Sequence, residues 1–173
     1  AIKKLKFLKE DAPIIPNWTA KHEHLSIGSL RNYHTKEFFP KILFLGWLED
    51  FKGVKEIVKA IKILKRKNYS FHISFAGEGS SRKYILDFIK KNNLQDFISL
   101  IGWVDEKEKC NLLKESNIFL LPSWNEGFPN SLVEAMSSGL ACVVTNVGMI
   151  PDFVKDKEHC LLIRPKNVDE IVF

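Results

Sequence analysis

Two carboxylates, Glu126 and Glu134, frame the run Glu126-Gly127-Phe128-Pro129-Asn130-Ser131-Leu132-Val133-Glu134, which follows Pro122-Ser123-Trp124-Asn125 and leads into Ala135-Met136-Ser137-Ser138-Gly139. The run reads as a strand end, a glycine-proline loop and a helix start. Glu126 falls in the loop and Glu134 one or two turns into the helix. The spacing therefore predicts that both face one cleft, into which the loop's backbone N–H groups also point. Carboxylates accept hydroxyl hydrogens and N–H groups take phosphate oxygens. The chemistry this suits is a sugar joined to a diphosphate.

Further residues supply the rest of such a site. Asn130, Ser131 and Leu132 lie where a helix leaves its first N–H groups unpaired, so an anion there gains hydrogen bonds and the helix dipole; self-capping by Asn130 is the plainer alternative. The loop 46–53 brings Gly46, Lys52 and Gly53 near the end of the first strand, with a surface role for Lys52 as the alternative. Gly77-Glu78-Gly79 follows the second strand, where small residues let a backbone approach a ligand. Arg82 reads as an exposed helix-start arginine. For Glu134, the alternative to ligand binding is a first-turn glutamate favoured by the helix dipole. Trp103 reads either as the cover of a planar ligand or as core at a strand end.

These residues need a scaffold that gathers strand ends. From Lys41 onward, short apolar runs alternate with helix-period segments, as expected for a parallel sheet covered on both faces. Strands are expected at 42–45, 71–76, 97–101, 118–121, 142–145 and 160–163. Between the first two, Val54, Ile57, Val58, Ile61 and Leu64 recur at helical spacing with lysines opposite. Asp105 and Glu108 form a capping-box pattern, a fourth helix opens after Pro129, and another starts at Asn167 with Glu170 three residues on. The expected fold is α/β, a Rossmann-like doubly wound parallel sheet of about six strands with helices on both faces. Ligands of such sheets bind at the carboxyl ends of strands, where each candidate above falls.

The Glu126…Glu134 segment resembles the signature of retaining, family-4 (group 1) glycosyltransferases with the two-domain GT-B architecture. Phe44-Leu45-Gly46-Trp47-Leu48 with Lys52-Gly53, then Phe75-Ala76-Gly77-Glu78-Gly79, Ile101-Gly102-Trp103-Val104 and Thr145-Asn146-Val147-Gly148-Met149-Ile150-Pro151 stand in that family's order. The resemblance runs from about Pro40 to about Asp169. It implies that the chain is the C-terminal, nucleotide-sugar-binding half of such an enzyme. Lys52 would then neutralise the diphosphate and stabilise the leaving nucleotide, Glu134 would accept the ribose hydroxyls, and Glu126, Gly127 and Phe128 would meet the sugar. The family's first glutamate lies close to the reacting carbon, which makes Glu126 and Lys52 the catalytic candidates. Asn130, Ser131, Leu132 and the loop of Gly46 would contact the phosphates, the backbone at Gly77 and Gly79 would approach the ligand, Trp103 and Val104 would meet the base, and Gly148 would line the far side. Where the family usually has an arginine, this chain has Trp47, which stacks or packs but supplies no charged fork.

The same resemblance implies no bound metal and no cofactor beyond the nucleotide-sugar. It also implies a partner N-terminal domain holding a glycan or lipid-linked acceptor, and a cytoplasmic site of action with peripheral contact at the inner membrane face. Residues 1–40 are expected to be leader and interdomain connector, and 41–173 the binding domain, truncated at its C-terminus. The chain opens on Ala1 and closes on Ile171-Val172-Phe173, just after a helix start, as a piece of a larger protein does. Within the leader, Lys3, Lys4, Lys6 and Lys9 alternate with apolar residues, and Ile15-Pro16-Asn17 resembles the family's interdomain hinge.

Composition excludes other classes. The 173 residues support one substantial core and not two full α/β domains. The net charge of +5 comes mostly from lysines spread over helix faces, such as Lys55, Lys59, Lys62 and Lys65, a solvated surface or an attraction toward anionic nucleotide-sugars or an anionic membrane face. Nothing points to nucleic acid. Cys110, Cys142 and Cys160 are widely spaced and read as reduced thiols, and His22-x-His24 has no further ligands clustered in sequence. No segment has the apolar length of a membrane span. An NAD-binding reading fails because Gly46-Trp47-Leu48-Glu49-Asp50-Phe51-Lys52-Gly53 lacks the Gly-x-Gly-x-x-Gly fingerprint. Two alternatives stay open: a non-catalytic nucleotide-sugar-binding or regulatory module, favoured by Trp47, and a GT-B-type sugar-nucleotide epimerase.

Overall fold

The computed structural model describes residues 20–30 and 39–172. The basic leader segment and the hinge-like Ile15-Pro16-Asn17 lie outside the described residues.

Six strands, β1 (Lys41–Leu45), β2 (His72–Ala76), β3 (Ile98–Gly102), β4 (Ile118–Leu121), β5 (Ala141–Thr145) and β6 (Leu161–Ile163), form one sheet in the order β3-β2-β1-β4-β5-β6. Every pairing is parallel. The helices are α1 (His22–Ser29), α2 (Val54–Arg66), α3 (Arg82–Asn92), α4 (Glu106–Glu115), α5 (Asn130–Ser137), α6 (Ile150–Phe153) and α7 (Val168–Val172). This is the expected doubly wound α/β fold, with strand bounds within about a residue of the sequence pattern.

Burial explains why the strands read as unbroken apolar runs. Leu43 and Phe44 point to opposite faces of β1 and both are fully buried, as are Ile73, Phe75 and Phe119. On α2 the residues at helical spacing, Ile57, Val58 and Ile61, enter that core while Lys59 and Lys62 stay exposed. The capping box of α4 forms as expected: the Glu108 N–H donates to Asp105 Oδ1 at 2.8 Å and the Asp105 N–H to Glu108 Oε2 at 2.9 Å. At α7, the Glu170 N–H donates to Asn167 Oδ1 at 3.1 Å.

The stretch expected to be connector carries α1, which packs against α4 and α5 and buries His24 completely. The short α6 was not anticipated; its Pro151 falls in the first turn, where proline's missing N–H has no partner to lose. The three cysteines are free thiols, with Cys142 and Cys160 buried. Burial pushes the Cys142 thiol up to about 12, so it is un-ionised and inert at neutral pH.

The strand order places the site. After β3 the chain returns to the other side of β1, so β1 and β4 are neighbours whose following loops leave in opposite directions. A crevice opens between those loops, at the carboxyl ends of the strands.

Candidate functional site

Lys52 follows β1 and Glu126 follows β4, one from each side of that crevice. A single helical turn, Asp50–Lys52, ends at Gly53 with φ +74°, and a Cβ there would lie 2.1 Å from the Pro122 carbonyl oxygen. Only glycine allows both the left-handed backbone and the close approach. The two loops are tied again by the Trp124 N–H, which donates to the Phe51 carbonyl at 2.7 Å.

The contact delivers Lys52 Nζ to Glu126 Oε1 at 2.6 Å, with the two side chains only 16 % and 7 % exposed. Ser123 Oγ, fully buried, donates to the same oxygen at 2.7 Å, and its own carbonyl accepts from Thr145 Oγ1 at 2.6 Å. Behind the glutamate, Gly148 has φ +59° and would place a Cβ 1.7 Å from the Glu126 carbonyl oxygen. The Met149 N–H donates to the Gly127 carbonyl at 2.9 Å. The loop after β5 thus braces the glutamate loop, and does so at Gly148, rather than forming a far wall.

A cleft of about 440 Å³ opens beside this point. Its floor is backbone: the Gly46 N–H donates to the Ala76 carbonyl at 3.0 Å and the Gly77 N–H to the Gly102 carbonyl at 2.7 Å, so the strand ends stay in contact past the sheet. Trp47 and Trp103 stand on it with ring centroids 5.9 Å apart and are more than half exposed. Trp103 is therefore not core at its strand end. Val104, Ser131 and Glu134 stand on the wall, with Glu78, Asp105, Glu106 and Lys109.

Glu134 does not lie in the first turn of α5, so the dipole alone does not account for it. Its Oε1 accepts from Lys109 Nζ at 2.6 Å, and Lys109 also meets Glu106 Oε2 at 3.0 Å. Glu106 in turn meets Lys21 Nζ at 2.8 Å. Burial works against the Lys109 ammonium, but the bonds to Glu134 and Glu106 together hold its pKa above the ordinary lysine value. Lys21 and Lys109 hold the Glu106 carboxyl below the ordinary range.

The structure does not bring all the candidates into this cleft. Gly46, Trp47, Gly77, Trp103, Val104, Ser131 and Glu134 line it, whereas Glu126, Lys52, Gly127, Phe128, Asn130, Leu132 and Gly79 do not. Glu126 and Glu134 thus do not share one cavity wall, because Lys52 and Ser123 draw the Glu126 carboxylate inward. The Leu132 side chain is fully buried, and its N–H donates to the Pro129 carbonyl at 3.0 Å. Asn130 does not cap its own helix, since Pro129 occupies the cap position without a side-chain bond. Phe128 packs edge-on against Phe153 at 4.7 Å, and Gly79 lies against the Leu48 carbonyl. Arg82 Nη1 lies 3.5 Å from Glu78 Oε1.

Sequence reasoning missed Lys109, Ser123 and Glu106. Lysines on a helix face carry no individual signal, and the pairing with Glu134 arises from the tertiary arrangement, in which α1 packs against both α4 and α5. His24, Glu106 and Cys110 bring ligand-type atoms within 4.8 Å of one another. Glu106 is committed to two ammonium groups, and burial raises the Cys110 thiol, so the set suits an ion-pair network better than a cation.

Fold and crevice define a doubly wound domain of the GT-B kind. The profile of the family described as glycosyl transferases group 1 matches residues 30–172, and the chain belongs to that family. It is 32% identical over 133 residues to an uncharacterised glycosyltransferase of Methanocaldococcus jannaschii, covering 76% of this chain and 34% of that protein. To the 2-deoxystreptamine N-acetyl-D-glucosaminyltransferase of Niallia circulans it is 32% identical over 130 residues, covering 75% and 33%. The chain thus spans about a third of the length of these relatives. Among solved structures, the C-terminal domain of the group 1 glycosyl transferase LpcC from Francisella tularensis superposes with a TM-score of 0.69 at 23% identity, covering 90% of this chain and 81% of that one. The lipopolysaccharide outer core galactosyltransferase WaaB gives 0.69 at 23%, covering 79% and 39%. No helix among the described residues is long and apolar enough to cross a membrane.

Proposed function

We propose that this chain is the nucleotide-sugar-binding half of a retaining glycosyltransferase, which transfers a hexose-type sugar to a glycan or lipid-linked acceptor held by a separate N-terminal domain. The observation that carries the reading is the Lys52–Glu126 pair at the sheet's switch point, beside a cleft with Glu134 on its wall. An ammonium that gives one hydrogen to Glu126 retains two for the oxygens of a diphosphate, where negative charge develops as the nucleotide departs. Glu126, fixed by two donors at Oε1, suits the part of an oriented carboxylate for the sugar. The backbone floor at Gly46 and Gly77 and the faces of Trp47 and Trp103 suit a base and ribose, and Glu134 suits the ribose hydroxyls.

Lys52 and the first N–H groups of α5 take the part that a metal ion plays elsewhere, so donor binding is independent of added metal. Without the acceptor domain, this chain binds the nucleotide-sugar and transfers little. Relatives include an amylovoran biosynthesis glycosyltransferase of Erwinia amylovora, which favours a role in glycan biosynthesis.

Calorimetric titration with UDP, GDP, ADP and their common sugar conjugates, without metal and then with magnesium, tests this reading. One nucleotide binding without metal is the expected result. Binding to none, or only with magnesium, counts against it. Unaltered affinity in a folded Lys52→Met variant would point to the non-catalytic module that Trp47 favours.

A further inference from the structure

Glu134 is already engaged before any ligand arrives, and by a residue with no assigned role. Lys109 projects from α4 across the base of the cleft to α5, and the two side chains are 16 % and 17 % exposed. The lysine is held from behind by Glu106, itself held by Lys21, so opposite charges alternate from α1 through α4 into the cleft. An ammonium with two fixed acceptors has little freedom to swing. It therefore fixes the oxygen it touches.

We propose that Lys109 is the positioning residue for Glu134, presetting that carboxylate for the paired hydroxyls of a ribose. The inference rests on the ribose role given to Glu134 above. A carboxylate that accepts two neighbouring hydroxyls must turn both oxygens toward them, and a free glutamate samples many rotamers in which it does not. Lys109 bonds Oε1 at 2.6 Å, and a carboxylate oxygen has a second acceptor direction, so the lysine and a hydroxyl share that atom without competing. The ammonium also supplies counter-charge to a wall that carries the carboxylates of Glu78, Asp105, Glu106 and Glu134 beside Trp47, Trp103 and Val104. The order of the chain gives Lys109 a fixed stance rather than a mobile one: its second anchor, Glu106, is one turn back on the same helix. Lys109 acts through Glu134 and need not touch the ligand.

The experiment compares wild type with Lys109→Met by calorimetric titration, using whichever of UDP, GDP or ADP the wild type binds and its 2′,3′-dideoxy counterpart. The expected result is about tenfold weaker binding of the ribonucleotide with the dideoxy affinity unchanged. Adding Lys109→Met to Glu134→Ala should cause no further loss, and Lys109→Arg should restore most of the preference for ribose. Equal weakening of both nucleotides would mean that Lys109 contacts phosphate or base directly, and overturns the proposal, as does unchanged binding. If the wild type binds no nucleotide, the ribose reading itself falls, and that result shows before any substitution. Lys109→Gln serves if the methionine variant does not fold; failure of both to fold makes the lysine a structural ion pair and also overturns the proposal.

Discussion

Lys52 Nζ and Glu126 Oε1 lie 2.6 Å apart although 74 residues separate them, because β1 and β4 are neighbours at the one place where the sheet reverses its winding. Both side chains are largely withdrawn from water, so each needs the other. Removing the ammonium leaves a nearly buried carboxylate with only the Ser123 hydroxyl.

Lys52→Met should therefore lower stability by about 1–3 kcal/mol, and Lys52→Met with Glu126→Gln should cost less than the two single changes added together. Chemical denaturation of the four proteins measures this. Additive losses would show that the pair is uncoupled. The same Lys52→Met variant should lose affinity for a nucleoside diphosphate far more than for the nucleoside, because only the diphosphate carries the charge that the lysine meets.

Trp47 occupies a place where the family resemblance leads one to expect a cation, and its ring packs tilted against Trp103 with centroids 5.9 Å apart. Trp47→Arg exchanges an apolar face for a charged fork at the cleft's edge. It should tighten nucleoside diphosphate binding relative to nucleoside and make that binding fall more steeply with salt. No gain would mean that another group already fills the phosphate position.

Most of the fold was legible because parallel strands buried on both faces leave continuous apolar runs, and α2 and α4 advertise themselves by periodicity and by the Asp105/Glu108 box. The loop residues were legible in type and not in contact. That Glu126 and Glu134 follow the same strand suggested a shared cleft, yet Lys52, which arrives from another strand, turns Glu126 away from that wall. Lys109 was invisible for the same reason, since its importance comes from a side-chain contact between α4 and α5, both packed on α1, and not from its neighbours in sequence. α1 gave no clear pattern: it is short, and its fully buried residue is a histidine.

Two glycines of the glutamate loop region should respond unequally to the same change. Gly148→Ala forces a left-handed backbone on a side chain and drives its Cβ into the Glu126 carbonyl, 1.7 Å away. A loss of about 1–3 kcal/mol is expected, together with weaker nucleotide-sugar binding, as the brace behind Glu126 gives way. At Gly127 a Cβ meets nothing within 4 Å, so Gly127→Ala should change stability little. Thermal unfolding of both variants checks the contrast; equal effects would remove the bracing role of Gly148.

The charge chain that ends at Glu134 also sets a pH dependence. The hydrogen bond from Lys21, and then that from Lys109, keep the Glu106 carboxyl ionised below its ordinary value of 4.5. Because its folded-state pKa is depressed, the pairing stabilises the protein fully above 4.5 and is lost as the pH falls through the lower, folded value. Glu106 is half exposed, so water and salt screen much of the gain. Glu106→Gln removes the titrating group while keeping its shape. The variant should unfold at a slightly lower temperature than the wild type at neutral pH, and the gap should shrink in high salt and close in acid well below the ordinary carboxylate range. A gap that persisted in acid would mean that Glu106 contributes by packing rather than by charge, and the alternating chain from α1 to the cleft would then hold together without its electrostatic link.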